Sequence, residues 1–515
     1  MGYLLIIPAL LLPFIIFQWF RARRNLPLPP GPKGWPIVGN LFDIPKKMPW
    51  KTFHEWSKTY GDVLFVDIPK QPTVILDSAE AAIELLEKRS DIYSDRTQYV
   101  MDELMFHRWN FVIKPYSSEW RAHRRLFHQH FNQRESIQYR PTQLRGTRQF
   151  LRRVLDDSTS LSESLRLLYS AVVLKVVYDM DIDTMDHEYI HLAHDALTFA
   201  AVIRVPGFFW VEFFPFLRYL PDWVPGTGNF KSYGKRGTEL WTRLHHEPYD
   251  TIKQNVMDGT AGPSVTASML ETVQKLTDED EARAQEEIVR NVIGITYGGA
   301  ADTTTTAAQS CVIAMSLFPE VQRKAQEELD RVIGPNRLPE FSDFEDLVYI
   351  QALVLESLRW NVVLPVGVPH RVIREDEYKG FRIPKGTTII PNLWAMLRNP
   401  DEFPEPHLFN PDRFLTKDGR IDPNVRNPTT LSFGFGRRIC PGRWFASAAL
   451  FISISSILHT MNVEPILGED GEPYNPFNVE IDGILMNSEN VPCKMTPRSK
   501  DAEHLIRDWE ETLAE

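Results

Sequence analysis

Proline divides this chain into two regimes. Ten prolines fall between Pro365 and Pro428, whereas residues 118–360 carry long runs of helical periodicity, such as Glu320-Val321-Gln322-Arg323-Lys324-Ala325-Gln326-Glu327-Glu328-Leu329. A proline inside a helix removes a hydrogen bond and clashes with the preceding turn, so the later stretch is confined to strands, turns and irregular coil. Residues 63–67 and 73–76 are short apolar runs joined by a proline-containing turn, the pattern of a hairpin. Asp77 or Ser78 then caps a helix through about Lys88, and a final helix starts near Arg443 and reaches Leu458. The fold class expected is mainly α with a minor β-sheet region (α+β), not the regular alternation of a doubly wound sheet.

The 515 residues are 43% hydrophobic and 24% charged, ordinary globular usage that excludes a disordered chain and a multi-spanning membrane protein. With 57 basic and 68 acidic side chains the net charge is −11, which argues against a nucleic-acid partner. Three cysteines, Cys311, Cys440 and Cys493, cannot build a disulfide framework and point to a reducing compartment. Residues 3–20 lack charge and are followed by Arg21, Arg23 and Arg24, so residues 1–24 are expected to be a transmembrane anchor with a basic stop. A cleaved signal peptide fits less well, because the charges follow the apolar run. Residues 25–39 form a proline-rich hinge, and 40–515 are expected to form one large domain. The aromatic run from Phe208 to Trp223 is either core packing or an apolar entrance touching lipid or substrate.

The chemistry concentrates in Phe433-Gly434-Phe435-Gly436-Arg437-Arg438-Ile439-Cys440-Pro441-Gly442. Glycines flank a cysteine, arginines precede it and a helix follows. Backbone N–H groups, nearby cations and a helix N-terminus together favour a thiolate, suited to be a nucleophile or a metal ligand. A phosphate-binding loop is excluded, since no GK[ST] or strand-to-helix GxGxxG context is present. Phe433, Gly436, Arg438, Cys440 and Gly442 fill the fixed positions of FxxGxRxCxG, and in this the chain resembles the cytochrome P450 family. The resemblance implies that fold, with haem b between a long central helix and the cysteine loop. It implies Cys440 as the thiolate ligand of the iron and Arg438 as a partner of a haem propionate.

Further segments extend the resemblance. Glu356-Ser357-Leu358-Arg359 puts a carboxylate and a guanidinium on one helical face, which alone is commonplace. Phe409-Asn410-Pro411-Asp412-Arg413-Phe414 is similar to the family's PxRF segment, implying a structural Glu356–Arg359–Arg413 network. In Gly298-Gly299-Ala300-Ala301-Asp302-Thr303-Thr304-Thr305-Thr306, two glycines and four threonines are poor helix formers. Read alone, the run is either a helix break capped by Asp302 or a functional helix. Its likeness to [AG]GxDT implies the second, with Gly299 in the small position and Asp302–Thr303 as the acid–alcohol pair of dioxygen activation. Ala300 stands where the family usually has glycine. Trp120-Arg121-Ala122-His123-Arg124 resembles the WxxxR helix, implying propionate contacts from Trp120 and Arg124. His370, thirteen residues before Ile383, takes the family's propionate-binding His/Arg place, with Arg371 as the alternative.

What the resemblance implies is a haem-thiolate monooxygenase acting on a lipophilic small molecule, most like the fungal oxygenases of secondary metabolism. The expected setting is the endoplasmic reticulum membrane, single-pass, with the catalytic domain facing the cytoplasm. No flavin or nicotinamide motif is present, so electrons are expected from a partner; the resemblance implies an NADPH–cytochrome P450 reductase, with cytochrome b5 as an additional partner. Arg121, Arg125, Arg437 and Arg443 are candidates for its docking patch. Substrate contacts are expected from residues 93–115, 199–220, 295–304, 363–368 and 484–486. Two other readings stand at this point. One is a haem-thiolate isomerase or dehydratase that does not use oxygen, against which Asp302–Thr303 weighs. The other is a membrane-anchored cysteine hydrolase pairing Cys440 with His370, for which no oxyanion site or third triad member is evident. Cys311 and Cys493 are expected to be packing residues.

Overall fold

The computed structural model describes residues 26–106, 108–157, 160–203, 208–224, 227–468, 471–478 and 491–509. The helical periodicity resolves into α1 (Pro49–Tyr60), α2 (Ser118–Phe131), α3 (Arg140–Asp156), α4 (Leu161–Tyr178), α5 (Glu188–Val202), α6 (Gly228–Asp258), α7 (Val265–Gln274), α8 (Glu279–Leu317), α9 (Pro319–Val332), α10 (Val348–Trp360), α11 (Arg443–Thr460) and α12 (Lys500–Arg507). At its centre lies α8, 39 residues long. Asp278 caps it by accepting from the Asp280 and Glu281 N–H groups, each at 2.9 Å, and Glu279, Asp280 and Glu281 place negative charge on the positive end of its dipole. Helices α2, α4, α5, α6, α10 and α11 all pack on it. Two glycines one turn apart set the approach of α6. A Cβ on Gly298 would lie 2.9 Å from the Trp241 ring, and one on Gly294 would lie 2.7 Å from His245.

The proline-dense stretch contributes strands, as expected. β1 (Val63–Val66) and β2 (Thr73–Leu76) form the antiparallel hairpin, in register from Val63↔Leu76 to Val66↔Thr73. β7 (Thr388–Pro391) runs parallel to β2, and β4 (His370–Arg371) and β3 (Asp95–Arg96) complete a five-stranded sheet in the order β1-β2-β7-β4-β3. Two further pairs are β5 (Asp376–Tyr378) with β6 (Phe381–Ile383), and β8 (Met461–Pro465) with β9 (Cys493–Pro497). The helix after Ser78 is capped by that hydroxyl, which accepts from Ala81 N at 3.2 Å, and it widens into a π-helical turn over Ile83–Lys88.

The expected anchor lies outside the described residues. Among the described residues, no helix is long and apolar enough to cross a membrane. The proline segment is not a free spacer: Pro27 O accepts from Arg382 N and Pro30 O from Phe65 N, both at 2.8 Å, so it lies against β6 and β1. The aromatic run divides. Phe209 and Phe213 are buried, while Phe208, Trp210, Phe214, Phe216, Tyr219 and Trp223 are exposed. Trp210 meets exposed Phe42 edge-on at 6.4 Å, which makes the aromatic run continuous with the segment that carries exposed Trp35 and Ile37.

Candidate active site

The cysteine loop is held by its own backbone. Phe433 O accepts from Cys440 N at 2.7 Å, closing the loop, and α11 starts at Arg443. Gly436 adopts φ +51°, and a Cβ there would lie 2.4 Å from Leu86 O in the π-helical turn. Any side chain at Gly436 meets both a left-handed backbone and a rigid carbonyl. Gly436→Ala is therefore expected to lower stability by about 1–3 kcal/mol, read from the urea midpoint of the purified protein.

Burial raises the Cys440 thiol above its ordinary value, and the Gly442 N–H, the charges of Arg124 and Arg443 and the Arg443 N–H oppose that rise. Although it sits deep in the fold, Cys440 is partly accessible. The other cysteines differ. Burial pushes Cys311 up to about 12 and Cys493 up to about 11, each opposed only by a serine hydrogen bond. Both are packing residues, as expected.

Positive charge collects beside the loop. Arg124 Nη2 donates to Ile439 O at 2.6 Å. Arg438 is buried, donates to Ser94 O at 2.7 Å and Lys114 O at 2.8 Å, and lies 4.2 Å over the Trp120 ring. His370 is buried in β4, where its Nδ1–H donates to Tyr93 O at 2.8 Å. Arg371, the alternative, is half-buried and reaches toward the Gly386 turn instead. Directly across the strand pair from His370 stands Arg96, buried and donating to Val368 O at 2.6 Å and Pro369 O at 2.9 Å. Sequence reasoning missed Arg96, because an arginine in a two-residue strand belongs to no motif. These groups disfavour one another's charge. Burial lowers Arg438 to about 9 and Arg124 to about 10; burial and the charges of Arg96 and Arg438 push His370 well below its ordinary value. Among the described residues, neither Arg124 nor Arg438 has a carboxylate in an ion pair; the atoms they reach are carbonyl oxygens.

On α8 the glycine–threonine run is unbroken helix, so Asp302 is not an N-cap. Each threonine hydroxyl donates back to the carbonyl four residues earlier: Thr303 to Gly299 at 2.9 Å, Thr304 to Ala300 at 2.9 Å, Thr305 to Ala301 at 2.8 Å and Thr306 to Asp302 at 2.8 Å. Back-bonding satisfies hydroxyls that otherwise compete with the helix. Gly299, midway along this buried helix, is nevertheless exposed, and a Cβ there would meet nothing within 4 Å. Thr303 and Ala300 are partly exposed beside it. Asp302 faces another way, with Oδ2 3.0 Å from His194 Nδ1 and Oδ1 3.6 Å from Arg166 Nε. Acid and alcohol adjoin in sequence but bond to different elements, and neither His194 nor Arg166 lies in a motif.

Behind the loop, Glu356 and Arg359 on α10 are wholly buried, joined by two bonds of 2.6 and 2.8 Å. Arg413 Nε and Asn410 N also donate to Glu356 Oε1, at 3.2 and 2.8 Å, so the expected three-residue network is in place. Of the regions expected to contact substrate, 93–115 and 363–368 meet through Arg96 and Val368, and 295–304 presents Gly299, Ala300 and Thr303; residues 484–486 lie outside the described residues.

Comparison with known proteins decides what this geometry belongs to. The family model described as Cytochrome P450 matches residues 29–495. The chain belongs to the cytochrome P450 family. It is 38% identical over 97% of its length to cytochrome P450 monooxygenase 98 of Postia placenta, covering 96% of that protein. Cytochrome P450 monooxygenase COX1 of Coprinopsis cinerea is 39% identical, over 90% of each chain. The tryptamine 4-monooxygenase of Psilocybe cyanescens is 35% identical over 93% of this chain and 95% of its own. This P450 is a haem-thiolate monooxygenase, and the isomerase and hydrolase readings find no support among these relatives.

P450s hold haem through a cysteine thiolate. The residues present fit that group on two observations. Among the described residues Arg124 and Arg438 form no ion pair with a carboxylate, though the charge of Asp95 favours Arg438 from a distance, and a haem brings two propionates. Gly299 and Thr303 on α8 and Cys440 on its loop are partly exposed inside a densely packed fold, the surfaces that a flat macrocycle would cover.

Proposed function

We propose that this P450 inserts one oxygen atom from dioxygen into a lipophilic small molecule, with Cys440 as the haem ligand. The carrying observation is the setting of Cys440: backbone N–H groups and two arginines around one sulfur, beside the buried side chains of Arg96, His370 and Arg438. Trp120, Arg124, His370 and Arg438, joined by Arg96, would hold the propionates, and Phe433 and Gly436 would shape the loop under the macrocycle. An anion at that end would offset the charges of Arg96 and Arg438, which add to burial in lowering the pKa of His370. The haem supplies the reduction of dioxygen and the oxygen transfer. The chain's own part is to hold sulfur, exclude water and move protons. Thr303 Oγ1, at rest a donor to Gly299 O, offers a hydrogen bond on the exposed side of α8, and Asp302 would bring protons to it by turning from His194 and Arg166.

Electrons come, in this reading, from an NADPH–cytochrome P450 reductase, with cytochrome b5 as an auxiliary donor. Arg121 and Arg437 support a docking patch: both are exposed, and both lie over the Tyr116 ring, at 5.6 and 5.4 Å. Arg125 is exposed as well, whereas Arg443 is half-buried and donates to Cys440 O at 3.1 Å, so it serves the loop. Neutralising Arg121 and Arg437 together is expected to flatten the salt dependence of haem reduction; an unchanged dependence removes this patch. The exposed aromatic surface around Trp210, Tyr219 and Trp223 supports contact with a bilayer, and residues 1–24 are proposed to anchor the chain in the endoplasmic reticulum membrane with the catalytic body in the cytoplasm.

The test is reconstitution of the full chain with such a reductase in phospholipid vesicles, supplied with terpenoids, polyketides, fatty acids and aromatic amines including tryptamine. Expected is a substrate-induced haem spectral shift for at least one class and a product carrying oxygen from labelled dioxygen. Product formed without NADPH, or carrying oxygen from water alone, contradicts the proposal.

A further inference from the structure

Asp302 is the centre of a three-residue group drawn from three helices. His194 comes from α5 and Arg166 from α4, and the carboxylate lies between them. The side chains differ in access to solvent: His194 is 26% exposed, Arg166 15% and Asp302 11%. From the geometry we propose that His194 is the residue that recharges Asp302 with protons. The proposal rests on the reading of Asp302 as the acid of oxygen activation and adds the group behind it.

An acid that gives up a proton in every cycle must regain one. Arg166 cannot return it, because a guanidinium keeps its protons at any working pH. Tyr297, the other titratable group beside Asp302 on α8, is buried, donates to Tyr189 O at 2.8 Å, and has its ionisation raised by burial and by the charge of Asp302. Groups that α6 turns toward α5 are engaged elsewhere on that helix: Tyr233 bonds Phe199 O at 3.0 Å, Arg243 pairs with Glu188 at 2.8 Å, and Glu247, whose charge acts on Tyr189, pairs with Arg243 at 2.8 Å. His194 is left, with one nitrogen on the carboxylate and an imidazole that reaches solvent. Histidine is also the side chain that exchanges protons near neutral pH. The proton count closes without moving electrons. The imidazolium passes its Nδ1 proton to Asp302 Oδ2 and becomes neutral with its remaining proton on Nε2; the ring then turns so that Nδ1 takes a proton from solvent, and Asp302 reverts to a carboxylate when its side chain turns and releases its proton toward Thr303. Arg166 holds the carboxylate beside His194 while it is being recharged, which makes it a positioning residue.

The experiment uses the full-length, haem-loaded chain in four forms: unchanged, His194→Gln, Asp302→Asn and His191→Gln, the last an exposed histidine on the same helix. Infrared difference spectra of aspartate-labelled ferric protein are recorded across about pH 5.5 to 8.5, where free histidine changes charge. The Asp302 band is the one lost in Asp302→Asn. Expected is a pH response of that band in the unchanged chain and in His191→Gln, absent in His194→Gln. NADPH-driven oxygen consumption with the reductase, which needs no identified substrate, is measured in light and heavy water. His194→Gln is expected to slow it about tenfold, enlarge the solvent isotope effect and lose the pH inflection, and Asp302→Asn to slow it about a hundredfold. If Asp302→Asn slows consumption while His194→Gln keeps the infrared response, the isotope effect and the pH profile, the relay is wrong and the role of Asp302 stands. A slower His194→Gln with an unaltered pH profile and infrared response makes His194 a mere prop and also overturns the relay. If Asp302→Asn consumes oxygen at the unchanged rate, the reading beneath the relay fails instead.

Discussion

Cys440→Ser is expected to abolish oxygenation, down to background, while leaving the helical content in place. The loop does not depend on sulfur for its shape: it is closed by the Phe433–Cys440 backbone bond, pinned by Gly436 on Leu86, and tied to α2 through Arg124. In the proposed role sulfur is required for the electronics, since a thiolate would push electron density toward the iron in the way that favours O–O cleavage and a serine hydroxyl would not. Circular dichroism should therefore match the parent, while the haem spectrum loses its thiolate character and turnover disappears. Cys311→Ala and Cys493→Ala supply the contrast. Neither sulfur has a cation among the influences on its ionisation, and both variants should keep the parental haem spectrum. Retention of turnover in Cys440→Ser would remove Cys440 from the site.

Glu356→Gln is expected to have the largest effect on the fold. That carboxylate accepts from Arg359 twice, from Arg413 and from Asn410 N, and both Glu356 and Arg359 are fully buried. Neutralising it leaves two guanidiniums side by side without their anion. A third stands close: Arg398, lowered to about 9 by burial and by the charge of Arg359. Breaking a buried pair from one side costs about 3–5 kcal/mol, against a total of about 5–15 kcal/mol for a typical fold. The expected results are a sharp loss of haem content in the purified protein and a lower urea midpoint. Since Arg359 also anchors Leu397 O, Pro406 O and Leu408 O, the segment leading to the cysteine loop should loosen first, seen as faster amide exchange over residues 397–414. A Glu356→Gln protein that retains haem and midpoint would show that the network carries no stability.

The parts of the site that were readable in the sequence are those where spacing alone imposes chemistry. A cysteine between glycines, preceded by arginines and followed by a helix, has few other uses, and the Glu356–Arg359 spacing becomes informative once Arg413 follows in the same order. Helices and prolines were readable because period and backbone exclusion are local properties. Groups assembled by tertiary contact were not. Arg96 meets His370 only because β3 and β4 pair, and His194 meets Asp302 only because α5 crosses α8. The threonine run admitted both a break and a helix, since propensity cannot register the i−4 back-bonds that satisfy all four hydroxyls. The aromatic run resisted a single assignment for a physical reason too: Phe209 and Phe213 are buried between exposed rings, and exposed rings continue beyond them, around short 3₁₀ turns over Trp210–Glu212 and Pro215–Tyr219. The proline segment read as a spacer because composition shows stiffness, not that Pro27 and Pro30 offer carbonyls to neighbouring strands.

The claim beneath all of this is that Cys440 binds haem iron as a thiolate. It is tested most directly by the difference spectrum of the reduced, full-length protein with and without carbon monoxide. A strongly red-shifted Soret band, present in the unchanged chain and absent from Cys440→Ser, is the predicted result. A Soret band at the position typical of histidine-ligated haem, or the same red-shifted band in Cys440→Ser, would contradict it.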